Sequence, residues 1–301
     1  MRVLKFAMFF LAITGIFAQN ELSEEEKALF KTNVVVPVPS EIIMALDMLS
    51  DINWKAIAEY DYSANYAVNY KIALNLGVRV AQGFIAIQAE DRKNTGEMFS
   101  VSRDLAENFG AKSEMFVDKD EVSKLLNDEK WLELRAILDD IHLKVKEEMK
   151  KYDPDFVILA GVGGWIEGLH IVSKALKNNY SEESSMILYQ PELIDYFTDE
   201  ISRLKQSNTD NIEVKEIIAK LPEIKKLCDV GIGNPIPLDN INKLYEIGSS
   251  VKVLIVAESK QVSKETNEAE DSTSSWVVIY SILIVMMIII IVIKRKKGGS
   301  Q

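Results

Sequence analysis

Phe156-Val-Ile-Leu-Ala-Gly-Val-Gly-Gly-Trp-Ile-Glu-Gly-Leu-His-Ile-Val-Ser-Lys-Ala-Leu176 is the stretch on which the fold turns. It is apolar around most of a helical circumference, so as a helix it has to be surrounded by other helices. Asp153-Pro154 opens it, proline being well tolerated in a first turn. Ala160, Gly164 and Gly168 recur every fourth residue and form a strip where a second backbone can come close. A stretch of the same kind runs from Ala64 to Ala89, with Ala73, Gly77 and Ala81 as its strip. A glycine inside a helix costs about 1 kcal/mol against alanine, so Gly77 and Gly83 predict tight packing that compensates. The two strips are expected to face each other. Neither stretch reads as a membrane span, because Arg79, Glu167 and His170 interrupt them near the middle.

The segments around these two are shorter and amphipathic. Ser40 onward, Gly96 to Phe109, Asp118 to Asn127, Trp131 to about Lys151, Tyr189 to Lys205, Glu213 to Val230 and Asp239 onward all carry helical spacing. Gly110 stands at a helix stop, and Asp118 at a start. Val251 to Ala257 finishes the last helix, since no strong second strand exists to pair with it. The expected fold is therefore all-α, a multi-helix bundle-like domain over 40–257 built around two long apolar helices. Laying Leu76-Gly-Val over Ala160-Gly-Val raises a duplicated helical unit as an alternative.

The ends set the expected location. Met1 to Ala18 has a basic start at Arg2 and Lys5, an apolar middle and a small final residue, the pattern of a signal peptide. Residues 19–39 are an acidic segment and an extended lead-in, Val34-Val-Val-Pro-Val-Pro39 being unable to continue a helix. A polar tether, 258–275, leads to Trp276–Ile293, eighteen residues without a charge, followed by Lys294-Arg-Lys-Lys297 in a tail over 294–301. Eighteen residues rise about 27 Å, close to a bilayer's hydrocarbon thickness. Basic residues after a span stay in the cytoplasm, so the expectation is a single-pass protein of the cell envelope whose domain lies outside the cytoplasm.

Net charge is −11, and removing the six cations of the two ends leaves −17 for the exported part. Such a surface repels phosphate backbones, which excludes nucleic acid as a partner and leaves proteins and small ligands. Cys228 is the sole cysteine, so no internal disulfide forms, and it reads as a small buried apolar residue. Asn179-Tyr-Ser181 is a glycosylation sequon, meaningful in a eukaryotic cell.

The polar residues of the two central helices are the candidate site. A buried Glu167 requires a partner, and Arg79, at a comparable place in the other helix, is expected to supply it, with Gln82 and His170 nearby. Glu167 and His170 also make a Glu-x-x-His pair, the spacing with which helical di-metal proteins hold ions, and Asp139 with His142 repeats it. His142 falls on the charged flank of its helix, and a solvated face explains it. Tyr60, Tyr62, Tyr66, Tyr70 and Trp54 crowd the approach to the first central helix and could stack a ligand, though packing accounts for them. No nucleophile elbow, no serine-histidine-acid set and no cofactor fingerprint can be picked out.

At Pro39-Ser-Glu-Ile, Ala73-Leu-Asn-Leu-Gly-Val78 and Gly163-Gly-Trp-Ile-Glu-Gly-Leu169 the chain resembles a group of exported, all-helical bacterial proteins of uncharacterised function. The resemblance covers about Val36 to Tyr196. It implies a helical envelope domain and no particular chemistry. The functional expectation is a membrane-anchored, non-enzymatic binding or scaffold module, the alternative being a metal-binding protein or metal-dependent enzyme that uses Glu167 and His170.

Overall fold

Every regular element in residues 51–258, the part that the computed structural model describes, is helical. The leader at 1–18, the lead-in at 19–39, the tether beyond 258, the span at 276–293 and the basic tail lie outside the described residues. Eight longer helices carry the fold. They are α1 (Asn69–Gln88), α2 (Arg92–Glu107), α3 (Lys119–Asn127), α4 (Trp131–Tyr152), α5 (Pro154–Asn178), α6 (Pro191–Ser202), α7 (Ile212–Cys228) and α8 (Leu238–Val256). Short helical turns at Trp54–Ile57, Glu182–Ser185 and Gln206–Thr209 link them.

The starts follow side-chain chemistry. Asp91, Asp118 and Asp153 each cap the helix that follows, their carboxylates accepting from the amides of Asn94, Asp120 and Asp155. Gly110, at φ +80°, follows α2 in the left-handed conformation that stops a helix. The start of α1 departs from expectation, at Asn69 rather than Ala64. The preceding backbone is spent on side chains instead, the amide of Asp61 donating to Gln82 and the carbonyl of Ser63 accepting from Arg79.

α1 and α5 form the centre, and glycine is what lets them touch. A Cβ built on Gly77 would stand 1.9 Å from the carbonyl oxygen of Ala160 and 2.6 Å from the amide of Gly164, and one on Gly163 would stand 2.0 Å from the carbonyl oxygen of Leu74. The expected facing strips are therefore real at Gly77, Ala160 and Gly164. Gly168 takes no part in them, since a Cβ built on it would meet nothing within 4 Å, and Gly163 replaces it. Contacts advance together along both helices, from Leu74 with Gly163 to Gln82 with Glu167, so α1 and α5 run in the same direction.

α8 lies antiparallel across both. Its Gly248 rests on the backbone of His170, Lys252 reaches Glu167, and the Ile255 carbonyl accepts from Asn75. α4 turns back along α5 through Asp153 and buries Leu134, Leu138, Ile141, Val145 and Met149. Phe197 of α6 covers Trp165, while α7 is tied to α1 by Lys71 and Glu213, a buried pair at 2.9 Å. Among the described residues α5 alone is long and apolar enough to cross a membrane, yet 72% of that stretch is buried inside the protein. It is the core helix.

Candidate functional site

Where α1, α5 and α8 meet, the apolar core gives way to charge. Arg79, Gln82 and Glu167 have no exposed surface, and Lys252 is buried beside them. A buried ion pair is costly unless its polar atoms find partners, and Glu167 Oε2, Arg79 Nε and Arg79 Nη1 are buried here without a hydrogen bond among the described residues. Glu167 Oε1 accepts from Lys252 Nζ and from Gln82 Nε2, both at 3.3 Å. Gln82 also donates to Asp61 Oδ2 at 2.7 Å and accepts from the amide of Asp61 at 3.0 Å. Lys252 Nζ lies 3.6 Å from Glu59 Oε2 and 3.7 Å from Asp61 Oδ2, so one ammonium serves three carboxylates.

Arg79 does not pair with Glu167, which corrects the expected partnership. Its guanidinium turns the other way, donating to the Tyr66 hydroxyl at 2.9 Å and to the Ser63 carbonyl at 3.2 Å, with Asp61 Oδ2 3.8 Å away. The reason is register: with α1 and α5 parallel, Gln82 rather than Arg79 faces Glu167, and α8 supplies the cation. The Tyr66 hydroxyl passes the connection on, donating to the Val256 carbonyl at 3.2 Å.

His170 stands one turn beyond Glu167 on α5, nearer the surface. Its Nε2 lies 3.2 Å from Glu59 Oε2 and its Nδ1 3.0 Å from Ser249 Oγ, and Tyr245 stacks on the ring at 5.3 Å. Glu59 is further bound by Lys174, which also donates to the Ile57 carbonyl. The charged centre thus has two halves. Glu167, Gln82, Asp61, Lys252 and Arg79 form a deep one; Glu59, His170, Ser249, Lys174 and Tyr245 form a shallow one that opens outward.

Burial and neighbours set the protonation states. Burial raises the Glu167 carboxyl from 4.5 to about 7, against the pull of Lys252 and Gln82. For Glu59 burial acts upward too, but the Lys174 hydrogen bond and the charges of Lys252, Lys174 and His170 outweigh it and hold the group at about 2. Burial and then Lys252 lower His170, against Glu59. At neutral pH His170 is therefore a neutral ring beside an ionised Glu59. An ionised carboxylate can only accept, so the ring proton sits on Nε2 and Nδ1 is left to accept from the Ser249 hydroxyl.

The four expected site residues are thus brought into one cluster, but Glu167 and His170 do not converge on a shared point. Glu167 is turned to Lys252 and His170 to Glu59 and Ser249. Among the described residues no group of three or more histidine, cysteine, aspartate or glutamate side chains is arranged to hold a metal ion. His142 is half-buried rather than solvated, and burial with the charge of Lys146 pulls it down to about 4. Of the tyrosines around the start of α1, Tyr66 is bonded to Arg79 and Val256, Tyr70 to Glu213 and Tyr62 to Asn94, whereas the buried hydroxyl of Tyr60 has no hydrogen-bond partner among the described residues.

Glu59, Asp61, Ser249 and Lys252 escaped the sequence reading. One signal was present for Lys252, a lone charge inside Val251-Lys-Val-Leu-Ile-Val256. Glu59 and Asp61 come from an irregular segment, whose side chains have no period to follow. Compared with known proteins, the chain matches no family model, no curated protein and no solved structure.

Proposed function

We propose that this chain is a membrane-anchored helical module that works outside the cytoplasm by binding a protein or small ligand or by organising an assembly. One observation carries the preference for this over a metal site: Lys252 brings a cation of the chain's own to Glu167, Glu59 and Asp61. An ion entering there has to expel an ammonium that three carboxylates hold, and the deep half of the cluster then serves to lock α8 onto α1 and α5. The orientation rests on Trp276–Ile293 and the four cations after it.

The test is topological. Protease added to spheroplasts is expected to digest the domain while sparing a reporter fused after Gln301. A protected domain with a digested reporter reverses the orientation and removes the proposal. Metal analysis of the purified chain supplies the second arm. Iron, manganese or zinc bound one to one, and lost in His170→Ala, would favour the metal reading instead.

A further inference from the structure

The shallow half of the charged centre goes beyond a binding role. Ser249 and Ser250 are neighbours on α8, yet their hydroxyls are used differently. Ser250 Oγ donates back into its own helix at the Ile247 carbonyl, the ordinary fate of a helical serine. Ser249 Oγ leaves its helix and reaches Nδ1 of His170 at 3.0 Å on another helix, and the opposite nitrogen of that ring is held by Glu59. A hydroxyl on a base, with the base oriented by a carboxylate, is the arrangement that activates a serine nucleophile, whatever the fold or the order in sequence.

We propose that Ser249, His170 and Glu59 form an acyl-accepting serine relay for carboxylic esters. Ser249 is the nucleophile, His170 the base, and Glu59 the positioning residue. Three features support it. The imidazole is fixed on both edges and on one face, through Glu59, Ser249 and the stacked Tyr245. Glu59 is nearly half exposed and Ser249 is half-buried, so the relay reaches solvent although His170 itself is covered. Lys174 and Lys252 keep Glu59 ionised and so keep the ring proton on Nε2.

The step balances within the relay. Ser249 Oγ bonds to the ester carbonyl carbon as its proton passes to Nδ1 of His170, and the resulting imidazolium is stabilised by Glu59. The C–O bond to the leaving alcohol then breaks, and that alcohol departs with the proton from Nδ1. Acyl-Ser249 and a free alcohol result, and water attacking by the same route returns the serine and a carboxylic acid. The amides of α8 are spent on its own helical ladder, so they offer no oxyanion hole of the usual kind. The relay is therefore suited to esters with good leaving groups and to slow turnover, not to peptide bonds.

The experiment uses the full chain in mild detergent with p-nitrophenyl acetate and a fluorophosphonate as probes, and peptide mass spectrometry to locate the adducts. Ser250 is an internal control within the same molecule, being more exposed and without a histidine. Ser249 is expected to be modified about 100-fold faster than Ser250, the scale of one positioned base. Ser249→Ala abolishes that adduct, His170→Gln slows it to the Ser250 rate, and Glu59→Gln slows it while Glu59→Asp restores part. A Ser249 rate no greater than that of Ser250 in the wild-type protein overturns the proposal, without relying on any variant to fold. It is independent of topology, so it fails or survives separately from the binding-module reading.

Discussion

Replacing Glu167 with Gln tests the electrostatics of the core most sharply, because Glu167 and His170 are shifted in opposite directions. Glu167 titrates near 7 in the fold against 4.5 as an ordinary carboxyl. Its raised value means that the folded state binds the extra proton. This group therefore favours folding most below 4.5, and the advantage is lost as pH rises through 7. At about 1.4 kcal/mol per unit that is about 3 kcal/mol. His170 is lowered from 6.5, so its contribution is fully present above 6.5 and is lost as pH falls. From 6.5 downward the two groups act in opposite directions, so each offsets part of the other's contribution to the wild-type profile.

Urea denaturation followed by tryptophan fluorescence, at several pH values on the full chain in detergent, reads this directly. Glu167→Gln leaves the histidine term alone, so stability should fall as pH drops below 6.5. Measured against wild type, so that His142 and Glu59 are common to both profiles, Glu167→Gln should lose up to about 3 kcal/mol between pH 7 and 4.5, and His170→Gln should gain over the same fall. Constant offsets from lost hydrogen bonds do not disturb these slopes. Parallel profiles for wild type and Glu167→Gln would refute the raised carboxyl.

Further outcomes follow from local geometry. Gly77→Ala puts a methyl 1.9 Å from the Ala160 oxygen, so α1 and α5 must separate, and the loss should exceed about 3 kcal/mol or prevent folding, seen in the thermal midpoint. Glu90, held at φ +51°, should gain about 0.5–1 kcal/mol on replacement by Gly, measured by the same melt. Glu213→Ala strands the buried ammonium of Lys71 and should cost about 3–5 kcal/mol, while the joint change Lys71→Met with Glu213→Leu should recover most of it. Cys228, buried and with its thiol pushed up to about 12, should resist maleimide in the folded chain and react only on denaturation.

The helical class could be read from Phe156–Leu176 and its partner stretch because an apolar circumference leaves a helix no choice but the core. The small-residue strips predicted the contact of Gly77 with Ala160 and Gly164, since spacing along one helix is a property of that helix alone. Which polar residue faces which is different. It depends on the relative shift of two helices, and one turn of slip moves Glu167 from Arg79 to Gln82 and hands its charge to Lys252 of a third. His170 was visible as an odd residue in an apolar run. Its hydroxyl and carboxylate neighbours came from α8 and from an irregular strand of chain, 79 residues ahead and 111 behind, where no period links them.

The last carbonyls of α8 are clasped from the side, Ile255 by the amide of Asn75 and Val256 by the hydroxyl of Tyr66, and Glu258 accepts from Ser63. A pull applied at residue 258 therefore does not peel the final turn open. It loads α8 lengthwise against its neighbours, so the chain's exit behaves as a shear joint that hands force to Asn75 in the early turns of α1 and to Tyr66 just ahead of it.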